Sequence, residues 1–492
     1  METLTLQNLT EIISKPIATD YTVNGKVFWR KLAAGSIFFV SDLISLSCAF
    51  TLALLASNFL SLNAIDMARH LFFMPFIIAM FLMAFYLRGL YPGFGIDVVE
   101  ELKTLTYSIT IVFALVASLS YLVKGAWDYS RLVFLLSWII SLTLVPLGRS
   151  AIKKYFCNKT WWGIPVVILG AGATGEMVIK SLQKHKFLGL RPILAIDDDP
   201  DKWGYIENVP VIGGFDLLPK ISSNLGIAHA IFAIQNIPRK RMQECIQNYN
   251  KFFPHLILIP DIFGISSLWV ASRNLGGLAA MEVQNKLLKI SSQIQKRIFD
   301  IILASTLSLI AFPIVMFISF LILLDSKGKI FFRQMRMGVD DSRFSIIKFR
   351  TMHLDAEKRL NDLLIHNPEL KAEYEIYHKM KNDPRLTAVG KFLRKFSLDE
   401  LPQFINVIKG EMSLIGPRAY MPWEKIKMNG AQDVILKVKP GISGLWQVTD
   451  RNASSFEDRN MTDVYYIRNW SMFLDFYILA RTISVIFLGK GS

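Results

Sequence analysis

Apolar residues form long unbroken blocks over the first third of the chain and short runs broken by charge over most of the rest. Four blocks come first: Leu32–Leu60, Leu71–Leu87, Leu105–Val123 and Leu132–Leu147. Each is close to the ~20 residues with which an α-helix crosses a bilayer core. The pattern predicts a four-helix transmembrane bundle over 32–150, after a cytoplasmic N-terminal segment, 1–31, that lacks the apolar core of a signal peptide. Cations flank the blocks unevenly. Lys26, Arg30 and Lys31 precede the first, Arg88 and Lys103 separate the second from the third, and Arg149, Lys153, Lys154 and Lys159 follow the fourth. The opposite loops hold only Arg69, Lys124 and Arg131. This bias puts both ends of the bundle in the cytoplasm. Asp42 falls inside the first block, where an acid is either functional or paired near a helix end. No charge pair is evident within the blocks.

The pattern changes near Trp161. Val166–Leu169 is a continuous apolar run of the kind buried in parallel sheets. It leads into Gly170-Ala171-Gly172-Ala173-Thr174-Gly175 and then a helical stretch. This is G-x-G-x-x-G between strand and helix, where glycines let a pyrophosphate approach a helix N-terminus. Pro192–Ile196, ending at Asp197-Asp198-Asp199, and Ala228–Ile234 read as further strands. Residues 161–280 are thus a Rossmann-like cytoplasmic domain. It is short and has no Tyr-x-x-x-Lys pair. The loop of Gly170, Gly172 and Gly175 is therefore either a nucleotide site or part of a structural or regulatory domain.

Residues 281–297 form a basic amphipathic linker with Lys286, Lys289, Lys296 and Arg297, suited to anionic headgroups. Ile301–Leu324 is then uncharged and long enough to span. A fifth crossing would carry Lys327, Lys329 and Arg333 to the outer face, against the charge bias. Pro313 lies mid-block, where it removes a helical hydrogen bond. The expectation is a re-entrant membrane helix over 298–325, broken near Phe312–Pro313, with Ser305 and Ser308 donating to freed carbonyls. In 326–492 the pattern predicts a hairpin of Phe331–Met337 and Phe344–Phe349, a helix over Met352–Met380 and an apolar terminal helix, Asp475–Leu488. The fold class expected is a membrane protein, α and α/β: the four-helix bundle, the Rossmann-like domain, and the re-entrant helix with an α/β catalytic domain.

Composition sharpens this picture. Of 492 residues, 52% are hydrophobic and the formal charge is +15; the mean hydropathy of +0.36 is too high for an ordinary soluble enzyme. A basic, apolar chain suits an anionic membrane surface or phosphate-bearing substrates. Without a basic recognition helix or an RNA-binding aromatic motif, no nucleic-acid partner is expected. Cys48, Cys157 and Cys245 lack metal-ligand spacing and read as reduced thiols.

The candidate chemistry centres on Ser397-Leu398-Asp399-Glu400-Leu401-Pro402-Gln403, between Arg394 and Arg418. Ser397 and Glu400 have capping-box spacing, and in that reading Asp399 only complements a helix dipole. In the other reading both acids are reactive. Six further stretches stand around the heptad: Lys296–Asp300, Phe332–Gly338, Lys348–Met352, Asn382–Thr387, Gly410–Arg418 and Lys439–Val448. In order and spacing the set resembles the bacterial polyprenyl-phosphate hexose-1-phosphate transferases, the monotopic phosphoglycosyl transferases. The bundle and Rossmann-like domain resemble their larger members, and the long 352–380 segment is most similar to the galactose type. One departure is visible: Ala419 follows Pro417-Arg418 where the family usually has Pro-Arg-Pro.

The resemblance implies transfer of hexose-1-phosphate, galactose-1-phosphate first and glucose-1-phosphate as the alternative, from a UDP-sugar to undecaprenyl phosphate. UMP is released, as the first membrane step of O-antigen, capsule or exopolysaccharide synthesis. It implies Mg²⁺ as cofactor, membrane lipids as surroundings, a homodimer, and a bacterial inner membrane with the catalytic domain on the cytoplasmic face. The residues suit that chemistry. Phosphoryl transfer needs a nucleophile, cations on the diphosphate and donors for equatorial oxygens. Asp399 can form an acyl-phosphate, and a first-turn position near arginines is expected to depress its pKa. Glu400 suits a Mg²⁺ ligand. Arg394, Arg418 and Arg451 offer planar forks to phosphate, and in the family the positions of Lys348 and Asp475 lie nearby. Two other classes fit less of the chain. A nucleotide-dependent oxidoreductase or epimerase lacks its tyrosine–lysine pair. A transporter or receptor lacks charge pairs in its short helices.

Overall fold

The four apolar blocks fold as α1 (Asn24–Leu60), α2 (Met67–Leu87), α3 (Val98–Leu122) and α4 (Arg131–Phe156), each extended by polar flanks that continue the helical turns. The computed structural model describes residues 24–60, 67–122, 130–218, 221, 227–234, 245, 249, 251–259, 270–275, 278–283, 286–356, 360, 365, 383, 385–449 and 455–487. The chain divides into two compact units, Met1–Gly264 and Ile265–Ser492. Among the described residues five helices are long and apolar enough to cross a membrane: α1 to α4 and a later one, Ile290–Asp325.

Within the bundle Leu46, Phe50, Phe81, Phe85, Ile109 and Phe113 form an apolar core, while Ile44, Leu52, Phe72, Phe76 and Ile139 remain exposed as a lipid-facing surface. A Cβ at Gly148 would sit 2.6 Å from Ser45 Oγ; small residues thus let α1 and α4 approach closely. The sequence places Arg149 and Lys153 beyond the fourth block, but α4 carries both of them inward. Arg149 Nη2 lies 2.6 Å from Asp42 Oδ2, its Nη1 3.2 Å from Glu101 Oε1, and Lys153 Nζ 2.7 Å from Glu101 Oε2. Tyr91 OH donates to Asp42 Oδ2 at 2.7 Å. Asp42 is therefore a paired acid, and the expectation of no charge pair within the helices is corrected. The carboxylates come from α1 and α3, so the sequence alone did not join them to α4.

The Rossmann-like region holds β1 (Ile164–Leu169), α5 (Ala173–Lys184), β2 (Leu190–Ile196), β3 (Gly204–Ile206), β4 (Val209–Ile212), β5 (His229–Phe232) and β6 (His255–Leu258). The sheet order is β3-β4-β2-β1-β5-β6, parallel except for β3. Its central strand is buried along its full length, as the unbroken apolar run requires.

The second unit opens with a hairpin, β7 (Val270–Leu275) and β8 (Leu278–Val283), followed by α6 (Ile290–Asp325). Helical geometry is continuous through Pro313. The expected break near Phe312–Pro313 is corrected: one missing N–H does not end a helix whose neighbouring turns keep their bonds. Ser308 Oγ is enclosed without a partner among the described residues, so it is not the expected donor; Thr306 Oγ1 donates to Ile302 O at 2.9 Å. Lys296 and Arg297, assigned above to a headgroup-binding linker, are instead spent inside this unit. Lys296 Nζ donates to Asp475 at 2.7 Å, and Arg297 donates to the carbonyls of Val407 and Ile408 at 2.6 and 2.9 Å. The far end is also held. Asp325 Oδ2 accepts from Val389 N at 3.2 Å, and Arg350 donates to the carbonyls of Ser326 and Lys327.

Then come β9 (Phe331–Met337) and β10 (Arg343–Phe349), the expected antiparallel hairpin, α7 (Ala388–Lys395), α8 (Phe404–Lys409), β11 (Ser413–Ile415), α9 (Gln432–Ile435), β12 (Gly441–Ser443), α10 (Leu445–Thr449), α11 (Phe456–Asn469) and α12 (Met472–Phe487). The helix expected over 352–380 lies largely outside the described residues. The observed architecture is that of a membrane α and α/β protein.

Candidate active site

Leu398 and Leu401 decide where the two acids go. The heptad forms a 3₁₀ turn, Leu398–Gln403, entered through Ser397 at φ +53°. Residues three apart in such a turn share a face. Both leucines pack on the cluster of Ile318, Ile322, Phe349 and Leu393, drawn from α6, β10 and α7. Asp399 and Glu400 are left to the remaining faces. Ser397 makes no side-chain cap, so the capping-box reading fails, and its left-handed backbone is a strained entry of the kind found at functional sites.

Glu400 turns to β10, where Lys348 Nζ lies 2.7 Å from its Oε1. Asp399 is buried, only 9% exposed. Burial lifts its carboxyl above the ordinary value; Lys348 and Arg394 oppose that rise and Glu400 adds to it. The expected depression is therefore corrected, because the cost of desolvating the charge outweighs two nearby cations. Arg394, on α7, is fixed by its Nε donating to Thr351 Oγ1 at 3.1 Å. A Cβ at Gly390 would stand 2.0 Å from Thr351 O, so that glycine is what lets α7 lie against the end of β10.

Arg418 follows β11. Its N–H donates to Asp463 Oδ2 at 3.0 Å, its Nη2 lies 3.5 Å from Glu424 Oε1, and its guanidinium stands 5.8 Å from the rings of both Tyr420 and Trp446. A Cβ at Gly441 would meet Gly416 N at 2.1 Å; the two motif glycines let β11 and β12 touch.

Several residues of this region were not singled out in the sequence. Arg336 of β9 donates to Ala419 O at 2.9 Å. Burial and then Arg418 push its guanidinium down to about 10, while Glu424 and Glu400 pull the other way. Arg336 is thus within electrostatic reach of both halves of the site. Its signal was its place inside Phe332–Gly338. Asp463 of α11, fully buried, also accepts from Tyr420 OH at 2.8 Å; burial lifts its carboxyl to about 7. Nothing in the local sequence marks Asp463 or Glu424.

Asp475 does not stand where a substrate could meet it. It has no exposed surface and accepts from Lys296 Nζ at 2.7 Å, Tyr466 OH at 2.6 Å and Trp470 Nε1 at 3.1 Å. Its placement in the phosphate-binding set is corrected: three donors occupy it in the interior, where it ties α12 to α6. Arg451 lies outside the described residues. Asp399, Glu400, Lys348 and Arg394 are brought together. Gly170, Gly172 and Gly175 belong to the other unit. Among the described residues no group of three or more His, Cys, Asp or Glu forms a metal cage. Glu400, partly exposed beside Lys348, nonetheless suits Mg²⁺, which is held by one or two carboxylates and otherwise by water and substrate phosphate.

Asp399 and Glu400 thus stand on one apolar turn with Lys348 and Arg394 beside them, next to a long helix apolar enough to cross a membrane. Residues 291–489 match the bacterial sugar transferase family, and residues 87–260 match a CoA-binding domain family. The UDP-galactose-lipid carrier transferase of Erwinia amylovora is 33% identical over 80% of this chain and 82% of its own. The undecaprenyl-phosphate galactose phosphotransferase of Salmonella typhimurium is 32% identical over 78% and 80%. A UDP-glucose:undecaprenyl-phosphate glucose-1-phosphate transferase of Klebsiella pneumoniae is 33% identical over 81% and 83%. The chain belongs to the bacterial polyprenyl-phosphate sugar-1-phosphate transferase family, and it is a membrane-bound transferase.

Proposed function

We propose that the protein transfers galactose-1-phosphate from UDP-galactose to undecaprenyl phosphate at the cytoplasmic face of the inner membrane, feeding O-antigen, capsule or exopolysaccharide synthesis. The observation that carries the reading is the buried Asp399 beside a Lys348–Glu400 pair and Arg394. An oxygen of Asp399 attacks the sugar-bearing phosphorus, the bond to the UMP oxygen breaks, and UMP leaves. A lipid phosphate oxygen then attacks the same phosphorus, the Asp399–phosphorus bond breaks, and the sugar diphospholipid departs with Asp399 regenerated. Lys348, Arg394 and Arg418 neutralise the phosphate oxygens through both steps. Glu400 would hold Mg²⁺, which would supply charge neutralisation on the diphosphate.

The galactose assignment is supported by the Erwinia and Salmonella relatives and by the 352–380 segment; the Klebsiella relative makes glucose the second reading. Cytoplasmic placement is supported by α6. Residues 296–300 and 318–325 are held by one compact unit, whereas a crossing helix carries its two ends to opposite faces. We therefore keep re-entry as the topology, with the bend inside a continuous helix at Pro313. UDP-galactose and UDP-glucose offered in turn with undecaprenyl phosphate test the function. The reading expects UMP from UDP-galactose; UDP as the product would mean that sugar, not phosphosugar, is transferred. Impermeant labelling of Lys327→Cys from outside intact cells would contradict the topology.

A further inference from the structure

Gly170, Gly172 and Gly175 are required for different reasons. Gly170 has φ +106°, and its Cβ would lie 2.7 Å from Ile234 Cγ1; a Cβ at Gly175 would lie 2.0 Å from Gly170 O. The fold alone forbids a side chain at both. Gly172 has φ −72°, which any residue adopts, and a Cβ there meets nothing within 4 Å. Its bareness leaves a cradle that the fold itself does not need. Two residues on, the Thr174 hydroxyl is enclosed and has no partner among the described residues, in a side chain only 6% exposed. The open cradle at Gly172 is what points to a ligand that approaches the backbone there. It stands at the start of α5, whose first N–H groups favour a phosphate. The strand order turns back at β1, the switch point where such sheets bind ligands.

Asp197 tells what kind of ligand this is. It follows β2 directly, and its Oδ2 accepts from Ala171 N, inside the loop, at 2.8 Å. Asp198 and Asp199 come next, and Lys202 Nζ lies 3.4 Å from carboxylates of both Asp197 and Asp199. At this position an acid accepts from a free ribose hydroxyl, whereas a phosphorylated ribose calls for a cation. Three carboxylates with a lysine already shared between two of them repel a ribose phosphate. CoA, the ligand in the matched family's description, carries one.

We propose that the Gly170–Gly175 loop binds a nucleoside diphosphate with an unphosphorylated ribose, its pyrophosphate over Gly172 and the α5 N-terminus and its ribose diol on Asp197, and that it excludes CoA and NADP. Equilibrium dialysis of the full-length protein in detergent with ADP-ribose, NAD, NADP and CoA tests it. ADP-ribose and NAD bind, and NADP and CoA bind about a hundredfold more weakly. Gly172→Glu removes ADP-ribose binding by placing a carboxylate where the pyrophosphate lies. Asp197→Arg, as a second variant, narrows or inverts the preference against NADP and CoA. CoA binding as tightly as ADP-ribose, binding of none of the four, or wild-type affinity in Gly172→Glu would each overturn the proposal.

Discussion

Lys348 Nζ lies 2.7 Å from Glu400 Oε1, and the same ammonium counteracts the rise that burial imposes on the Asp399 carboxyl. One lysine thus serves both acids of the heptad, and it arrives from β10, 52 residues earlier in the chain.

That relationship sets the acidic limb of the rate profile. A nucleophilic Asp399 must be ionised, and its folded pKa is raised, so activity falls as pH drops through a value above the ordinary carboxylate range. Lys348→Met removes an opposing cation and leaves Glu400 unneutralised, so the limb moves to higher pH. Initial rates of UMP release from pH 4 to 9 check this; an unmoved limb in a folded variant would show that Lys348 does not tune Asp399.

The leucines of the heptad should matter without touching substrate. Leu401→Ala removes side-chain packing against Ile318, Ile322, Phe349 and Leu393. A loss of about 2 kcal/mol in unfolding free energy is expected. Because the turn is loosened, kcat should drop more than KM rises. Unchanged kcat in a destabilised protein would separate the cluster from the positioning of Asp399.

Asp475→Ala is expected to act on the fold. It strands Lys296, 6% exposed, without its carboxylate, and a buried pair broken on one side costs about 3–5 kcal/mol. The double variant Lys296→Met, Asp475→Leu should recover most of the loss, since an apolar pair of similar volume substitutes well. Thermal unfolding in detergent reads both. A raised KM for the UDP-sugar with an unchanged unfolding midpoint would instead restore Asp475 to the substrate site.

Asp463 gives a pH signature in stability. Its folded pKa of about 7 lies above the ordinary 3.8 because the carboxyl is buried. The stabilisation from the protonated form is fully present below 3.8 and is lost as pH rises through about 7. Asp463→Asn cannot ionise, so its unfolding midpoint should gain on wild type between pH 4 and 8. Parallel midpoints across that range would mean that Asp463 stays charged in the fold.

How far the sequence reached can be read from particular residues. The blocks that became α1 to α4 were legible because length and unbroken hydropathy suffice to mark a membrane helix. Arg149 and Lys153 were misassigned to the flank because their partners, Asp42 and Glu101, sit on other helices. The strands β1, β2 and β5 were visible as apolar runs, whereas β3, β4 and β6 were not singled out. The heptad was visible as chemistry, but burial of Asp399 depends on α6, β10 and α7 closing over Leu398 and Leu401. Asp475 was placed near the site by the family resemblance alone, and its burial against Lys296, 179 residues earlier in the chain, does not show in the sequence.

The central claim is that Asp399 carries the phosphosugar. Full-length protein given UDP-galactose labelled in the sugar-bearing phosphate, with no lipid acceptor, should retain label in a stoichiometric burst with UMP. The label should map to the peptide containing Asp399, be absent in Asp399→Asn, and leave on addition of undecaprenyl phosphate. Wild-type protein that turns over with lipid present yet never holds label on Asp399 would contradict the account.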